Sequence, residues 1–202
     1  RVSTDDGCDS NIVFNVTIQP APVPNFSGPS TVCHSKSYDY STTATTGHGY
    51  RWFATGGVII GSDSSASVKV LWGSPGNSQL TLVETNLNGC DSLITQNILV
   101  RPSPITIISG VDEVCEFSTH SYSVSPQADY TYQWFVTGGT IVGSSTQSQV
   151  TISWGTAQTA EVRIRVVSGL GCDSTMALPV NINLRPTPEI DGKSFACVNV
   201  PS

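Results

Sequence analysis

Hydrophobic and polar residues alternate in short runs along this chain, and glycine, proline, serine and asparagine separate the runs. Val68, Val70 and Trp72 fall on one face with Lys69 on the other, and Leu80 and Leu82 oppose Gln79 and Thr81. Further on, Val162, Ile164 and Val166 alternate with Arg163 and Arg165. A period of two is the mark of half-buried antiparallel strands. Across residues 21–102 the pattern predicts about seven extended segments, at 23–27, 37–42, 50–55, 58–61, 67–72, 79–85 and 93–100. Short strands at this spacing, with turn residues between them, predict a β-sandwich. Trp52, Trp72, Trp134 and Trp154 sit mid-pattern and are the candidate core residues. Phe53 and Phe135 alternate with two of them and should face outward. Gly56-Gly57 and Gly138-Gly139 stand where the chain must reverse, and glycine tolerates the positive φ of such turns.

The whole pattern then repeats. Cys8-Asp9-Ser10 recurs as Cys90-Asp91-Ser92 and as Cys172-Asp173-Ser174, a constant offset, since 90 − 8 and 172 − 90 both equal 82. Cys33, Cys115 and Cys197 take the same step, as do Trp52 with Trp134 and Trp72 with Trp154. Tyr50-Arg51-Trp52-Phe53-Ala54-Thr55-Gly56-Gly57 matches Tyr132-Gln133-Trp134-Phe135-Val136-Thr137-Gly138-Gly139. A fixed period of this kind signals a tandem array. The repeat divides the chain into the end of one module (1–20), two full modules (21–102 and 103–186) and the start of a fourth (187–202). One slip interrupts the register: Pro102 stands at Cys90 plus 12, whereas Pro186 stands at Cys172 plus 14. A longer last strand offset by a shorter loop accounts for it.

Composition narrows the function. Only 12% of residues are charged, and Lys and Arg together number nine. With a net charge of −6 and a pI near 4.8, the chain lacks the clustered cations that nucleic acid or an anionic membrane surface demands. No apolar run is long enough to span a bilayer, so no direct membrane insertion is expected. Six cysteines without CxxC spacing argue for an oxidised, extracellular framework over a metal site.

The motifs G-x-x-x-V-C, Y-x-W-x-x-T-G-G-x-I-x-G, W-G and G-C-D-S, with the P-x-P junctions, resemble the PKD-like, immunoglobulin-like repeats of giant Bacteroidota surface proteins. These include SprB-type gliding-motility adhesins and other type IX-secreted proteins. The usual W-D-F-G-D-G signature is replaced by Trp-Phe-x-Thr-Gly-Gly, which puts the likeness with a divergent branch. The resemblance implies export to the cell surface, tandem arrays, and adhesion or stalk roles. It carries no catalytic site.

Two disulfide patterns are open. Within modules, Cys33 would pair with Cys90, and Cys115 with Cys172. Strand polarity favours the other pattern. In a seven-stranded sandwich Cys33 lies at one pole, between the first two strands, and Cys90 lies in the last turn at the opposite pole. The poles are roughly 20 Å apart, but bridged Cα atoms lie within about 7 Å. With modules head to tail, Cys33 of one would meet Cys172 of the next. That leaves Cys8, Cys90, Cys115 and Cys197 to partners outside this chain. The junctions Gln19-Pro20-Ala21-Pro22, Arg101-Pro102-Ser103-Pro104 and Arg185-Pro186-Thr187-Pro188 favour extended, semi-rigid geometry.

Other candidate chemistry is thin. Asp9, Asp91 and Asp173 are read as turn-holding side chains. Asp5, Asp6 and Asp9 are too few for a calcium site. His34, His48 and His120 have no repeated acidic or cysteine partner, and no nucleophile elbow occurs. No metal, cofactor or catalytic set is expected, so the chain is not read as an enzyme. Ser92 and Ser174 fit a Bacteroidota O-glycosylation acceptor, although a polar strand start is the plainer reading. The sequons at Asn15 and Asn25 are given little weight because the resemblance is bacterial. The chain is therefore expected to be an all-β array of Ig-like modules acting as a spacer or stalk, with neighbouring modules as partners. The alternative is a direct carbohydrate- or protein-binding module, with outer-face aromatics and loops taking a surface polysaccharide or protein.

Overall fold

The computed structural model describes residues 2–156, 158–192 and 194, and every regular element among them is a strand. The chain divides into two compact units, Arg1–Pro102 and Ser103–Ser202. Val2–Ser3 (β1) and Asp9–Ser10 (β2) form a small antiparallel hairpin. Seven strands then build the first sandwich: Thr31–Cys33 (β3), Ser37–Ser41 (β4), Gly49–Thr55 (β5), Gly57–Ile60 (β6), Ser67–Trp72 (β7), Gly76–Thr85 (β8) and Asp91–Arg101 (β9). The second sandwich repeats them as Glu113–Cys115 (β10), Thr119–Ser123 (β11), Thr131–Thr137 (β12), Gly139–Val142 (β13), Gln149–Trp154 (β14), Gln158–Val167 (β15) and Asp173–Asn183 (β16). In the first, a four-stranded sheet in the order β3-β9-β8-β5 faces a three-stranded sheet in the order β4-β7-β6, and the second has the same order.

Alternation reads out directly as burial. Strand β7 runs exposed–buried along its length, putting Val68, Val70 and Trp72 inward. All four tryptophans are at most 2% exposed and fill the two cores. The indole N–H of Trp52 donates to the Ser65 carbonyl at 2.8 Å, and that of Trp134 to the Gln147 carbonyl at 2.8 Å. A polar atom carried into the core is thereby satisfied.

Three details differ from the expectations drawn from sequence. Residues 23–27 are not a strand, and Val23 is fully exposed. The first edge is instead split between sheets: Ser27 bridges to Ser41, and Thr31–Cys33 then runs parallel to the end of β9. Prolines at 20, 22 and 24 remove the N–H groups that a ladder needs. Gly28 lies over the Tyr40 ring at the crossing, where a Cβ would come within 2.1 Å of a ring carbon; Gly110 over Tyr122 repeats this at 2.2 Å.

Gly56 does not turn a hairpin. Its positive φ of 80° passes the chain from β5 in one sheet to β6 in the other, and β5 pairs with β8, not β6. Finally, β9 and β16 are equally long, at eleven residues each. The slip thus lies beyond the strand, at Leu184 and Arg185, and does not lengthen it.

Candidate functional site at the module ends

The two ends of each sandwich are chemically distinct. At one end, the turn before the last strand carries a cysteine. In the first module the amide of Asn86 donates to the Cys90 carbonyl at 2.9 Å and that of Gly89 to the Asn86 carbonyl at 3.0 Å. The second module makes the same bonds from Ser168 to Cys172 and from Gly171 to Ser168. The β1–β2 hairpin makes them again, from Thr4 to Cys8 and from Gly7 to Thr4. Gly7, Gly89 and Gly171 have φ of 80°, 78° and 83°, a region that only glycine adopts readily.

The side chain that closes this turn stands four positions before the cysteine. Asn86 Oδ1 accepts from the amides of Asn88 and Cys90, both at 3.0 Å. Ser168 Oγ donates to the Cys172 carbonyl, and Thr4 Oγ1 to the Cys8 carbonyl. Sequence alone pointed to Asp9, Asp91 and Asp173 for this task. Thr4, Asn86 and Ser168 were legible too, as side-chain hydrogen-bonders at one repeat position. The Asp173 carboxylate accepts from Arg165 Nε at 3.0 Å.

The same turn receives the incoming chain. Asn86 Nδ2 donates to the Pro20 carbonyl at 2.9 Å, and Ser174 Oγ to the Pro104 carbonyl at 2.6 Å. The chain leaves each module at the far end of β9 or β16. There Cys33 pairs in register with Arg101, and Cys115 with Asn183. Cys33 thus ends a strand; it does not lie in a connection between the first two strands. Cys33 and Cys90 stand at opposite ends of the eleven-residue β9, roughly 35 Å apart at about 3.4 Å per residue. Cys115 and Cys172 are separated likewise along β16.

Cys33 and Cys172 are each disulfide-bonded, while Cys8, Cys90 and Cys115 carry free thiols. The intra-module pairs Cys33–Cys90 and Cys115–Cys172 are therefore not made, because the strand between them is several times longer than a disulfide can reach. Cys197 lies outside the described residues.

The PKD-like domain family matches residues 19–100 and again residues 101–182. The chain belongs to that family. A search of curated proteins finds no match. Among solved structures, an intimin C-terminal fragment in complex with the Tir intimin-binding domain is 13% identical over 81% of this chain, with a TM-score of 0.43. The CbhA fibronectin(III)-like modules of Clostridium thermocellum are 12% identical over 84% of this chain and all of theirs, with a TM-score of 0.36. Bacteroides ovatus SGBP-B in complex with a mixed-linkage heptasaccharide is 16% identical over 76%, with a TM-score of 0.31. The chain spans 66% of the intimin fragment and 42% of the SGBP-B chain.

Beyond the cysteines, each PKD-like module has a cleft beside the incoming chain. In the first it measures about 340 Å³ and is lined by Phe26, Ser41, Thr42, Thr45 and Glu84. In the second it measures about 420 Å³ and is lined by Ile105, Ile107, Gln127, Tyr130, Tyr132 and Val166. Glu84 is nearly buried and accepts from His48 Nδ1 at 2.6 Å. This pair escaped the sequence pattern, since its members lie far apart along the chain and the second module has Tyr130 and Val166 in their places.

His34 Nδ1 lies 2.7 Å from the Gly73 carbonyl, and His120 Nε2 lies 3.1 Å from Ser118 Oγ. Among the described residues no group of three or more His, Cys, Asp or Glu side chains could hold a metal. No helix there is long and apolar enough to cross a membrane.

Phe53 and Phe135 are about half exposed on the outer face of the four-stranded sheets. The Arg51 guanidinium lies 5.3 Å from the Phe53 ring centroid. Ser92 is half-buried at the start of β9, and the Ser174 hydroxyl is engaged with Pro104 as described.

Proposed function

We propose that this chain is a non-catalytic spacer segment of a large repetitive cell-surface adhesin or filament, stiffened by disulfides between successive modules. Cys33 bonds to Cys172 in this reading. The observation that carries it is that each module takes the chain in beside one cysteine and releases it beside another. The release end of residues 21–102 is joined to the receiving end of residues 103–186 by a few proline-spaced residues, so the cysteines at those two ends are natural partners. Residues 1–20 close a preceding module and residues 187–202 open a following one. The family resemblance supports export by type IX secretion to the outer surface of a Bacteroidota cell, in an adhesin of the gliding-motility kind. Neighbouring modules of the same chain are the partners.

Peptide mapping by mass spectrometry without reductant tests the bond. A cross-linked peptide pair containing Cys33 and Cys172 is expected, and its absence sinks the staple. A glycan array probed with the whole chain tests the spacer role. No specific binding is expected, and reproducible binding to one glycan class would move the function to recognition.

A further inference from the structure

The spacing of the cysteines has a topological consequence that does not depend on how neighbouring modules dock. Along the chain, a short and constant interval leads from each turn cysteine to the next strand-end cysteine: Cys8 to Cys33, Cys90 to Cys115, Cys172 to Cys197. Within a module, the interval from strand-end to turn cysteine, Cys33 to Cys90 or Cys115 to Cys172, is more than twice as long. A bond from Cys33 to Cys172 bypasses everything between them. From Cys172 the covalent route needs only one short interval to reach Cys197, the next strand-end cysteine in the series.

Resting on the staple reading above, we propose that the disulfides remove all of each sandwich but its short first strand and its last strand from the load path. A tandem array then carries tension along two interleaved covalent routes. One route runs through segments 8–33 and 172–197. The other runs through segment 90–115, whose two cysteines are the free thiols Cys90 and Cys115, to modules before and after this chain. Each route uses one short interval for every two modules, where the unbridged backbone would use two full repeat periods.

At about 3.5 Å per extended residue, the short interval reaches at most about 90 Å and two repeat periods about 570 Å. Two last strands of eleven residues already measure about 75 Å laid end to end. The bridged route is thus scarcely longer than the folded strands it accompanies. Stretch resistance then comes from covalent topology, and an individual module can unfold with little lengthening of the array. What bears the load is the last strand, the proline junction and the short strand that ends at the cysteine.

Pulling single molecules from both ends tests this. For the whole chain without reductant, the contour length should be that of residues 1–33 and 172–202, with the rest released only on reduction. A tandem chain of residues 1–196 followed by residues 33–202 keeps the cysteine register and separates the two ideas. Three bonds are expected in it: Cys33–Cys172 in each part, and Cys115 of the first part to Cys90 of the second.

Without reductant its contour should be that of about 90 residues, or about 310 Å. C115S in the first part should leave that length unchanged, because its bond lies on the other route. C33S in the first part should more than double it. Absence of the Cys33–Cys172 bond sinks the staple reading itself. If that bond forms but Cys115 of the first part and Cys90 of the second stay free, the staple stands and the second route is overturned. A longer contour in C115S overturns the routing as well.

Discussion

The two modules share a core and differ at one end. Tyr40 and Tyr122, Trp52 and Trp134, and Trp72 and Trp154 are equivalent and buried in both. Beside the incoming chain, however, the first module holds the hydrogen-bonded couple His48 and Glu84 in a hydroxyl-lined cleft. The second holds Tyr130 and Val166 in a cleft that also carries Ile105 and Ile107. A buried carboxylate with its partner in one module thus takes the place that Tyr130 and Val166 fill in the other. The nearby cysteine turn is different. It keeps its hydrogen bonds, its positive-φ glycine and its cysteine in every copy. Backbone geometry at the cysteine-bearing ends is the constant feature, and side-chain chemistry in the neighbouring cleft is free to vary.

The largest expected effect lies where the modules agree. Trp52→Ala and Trp134→Ala should each destabilise their own module by about 3–5 kcal/mol, and by similar amounts, because each indole is buried and donates to a loop carbonyl at 2.8 Å. Hydrogen exchange read by mass spectrometry, module by module, checks this. A marked inequality would break the equivalence of the two cores.

Gly28→Ala and Gly110→Ala come next. Each adds a methyl group where a tyrosine ring carbon lies 2.1 or 2.2 Å away, an overpacking cost of about 1–3 kcal/mol. Denaturant titration of each variant measures it, and a neutral result in either module would show that the ring moves aside freely.

The cleft supplies the sharpest contrast. His48→Ala strands the nearly buried Glu84 carboxylate and should cost about 1–3 kcal/mol. The double variant His48→Tyr with Glu84→Val copies the second module and should recover most of that loss. A double-mutant cycle gives the coupling energy, and additive single effects would refute the interchange.

The last effect is confined to alkaline pH. Burial pushes the Tyr40 hydroxyl up to about 12, with the Trp72 indole N–H acting in the opposite direction. Burial also raises Tyr122. A raised pKa means that the folded state holds its proton longer than the unfolded chain. The resulting stability is complete below pH 10 and is lost as pH rises from 10 through about 12. Unfolding at about pH 9 and about pH 11.5 should show this loss, and Tyr40→Phe should shrink the first module's share.

Much of the sandwich was legible because burial follows a two-residue period, as Val68, Val70 and Trp72 illustrate. The first edge was not. Residues 23–27 look apolar enough for a strand, yet alternate prolines deny them a ladder, and the short Thr31–Cys33 segment takes that role by pairing parallel to β9. A parallel contact such as Val32 with Val100, between residues remote in the chain, leaves no local periodicity to read. The His48–Glu84 couple was hidden for the same reason. The turn-closing Thr4, Asn86 and Ser168 were in view at one repeat position, as short polar side chains ahead of each cysteine.

By itself the sequence determined the all-β class, the repeat period and the alternation that decides which residues face inward. These follow from residue spacing alone, because side-chain direction in a strand is set by parity. Only the tertiary structure decided that Cys33 ends a strand laid parallel to β9. In that place an unbroken strand of about 35 Å holds it apart from Cys90. Distance across a folded module is not written in sequence separation, since a strand that returns along a sheet brings some remote residues together and keeps others at its far end.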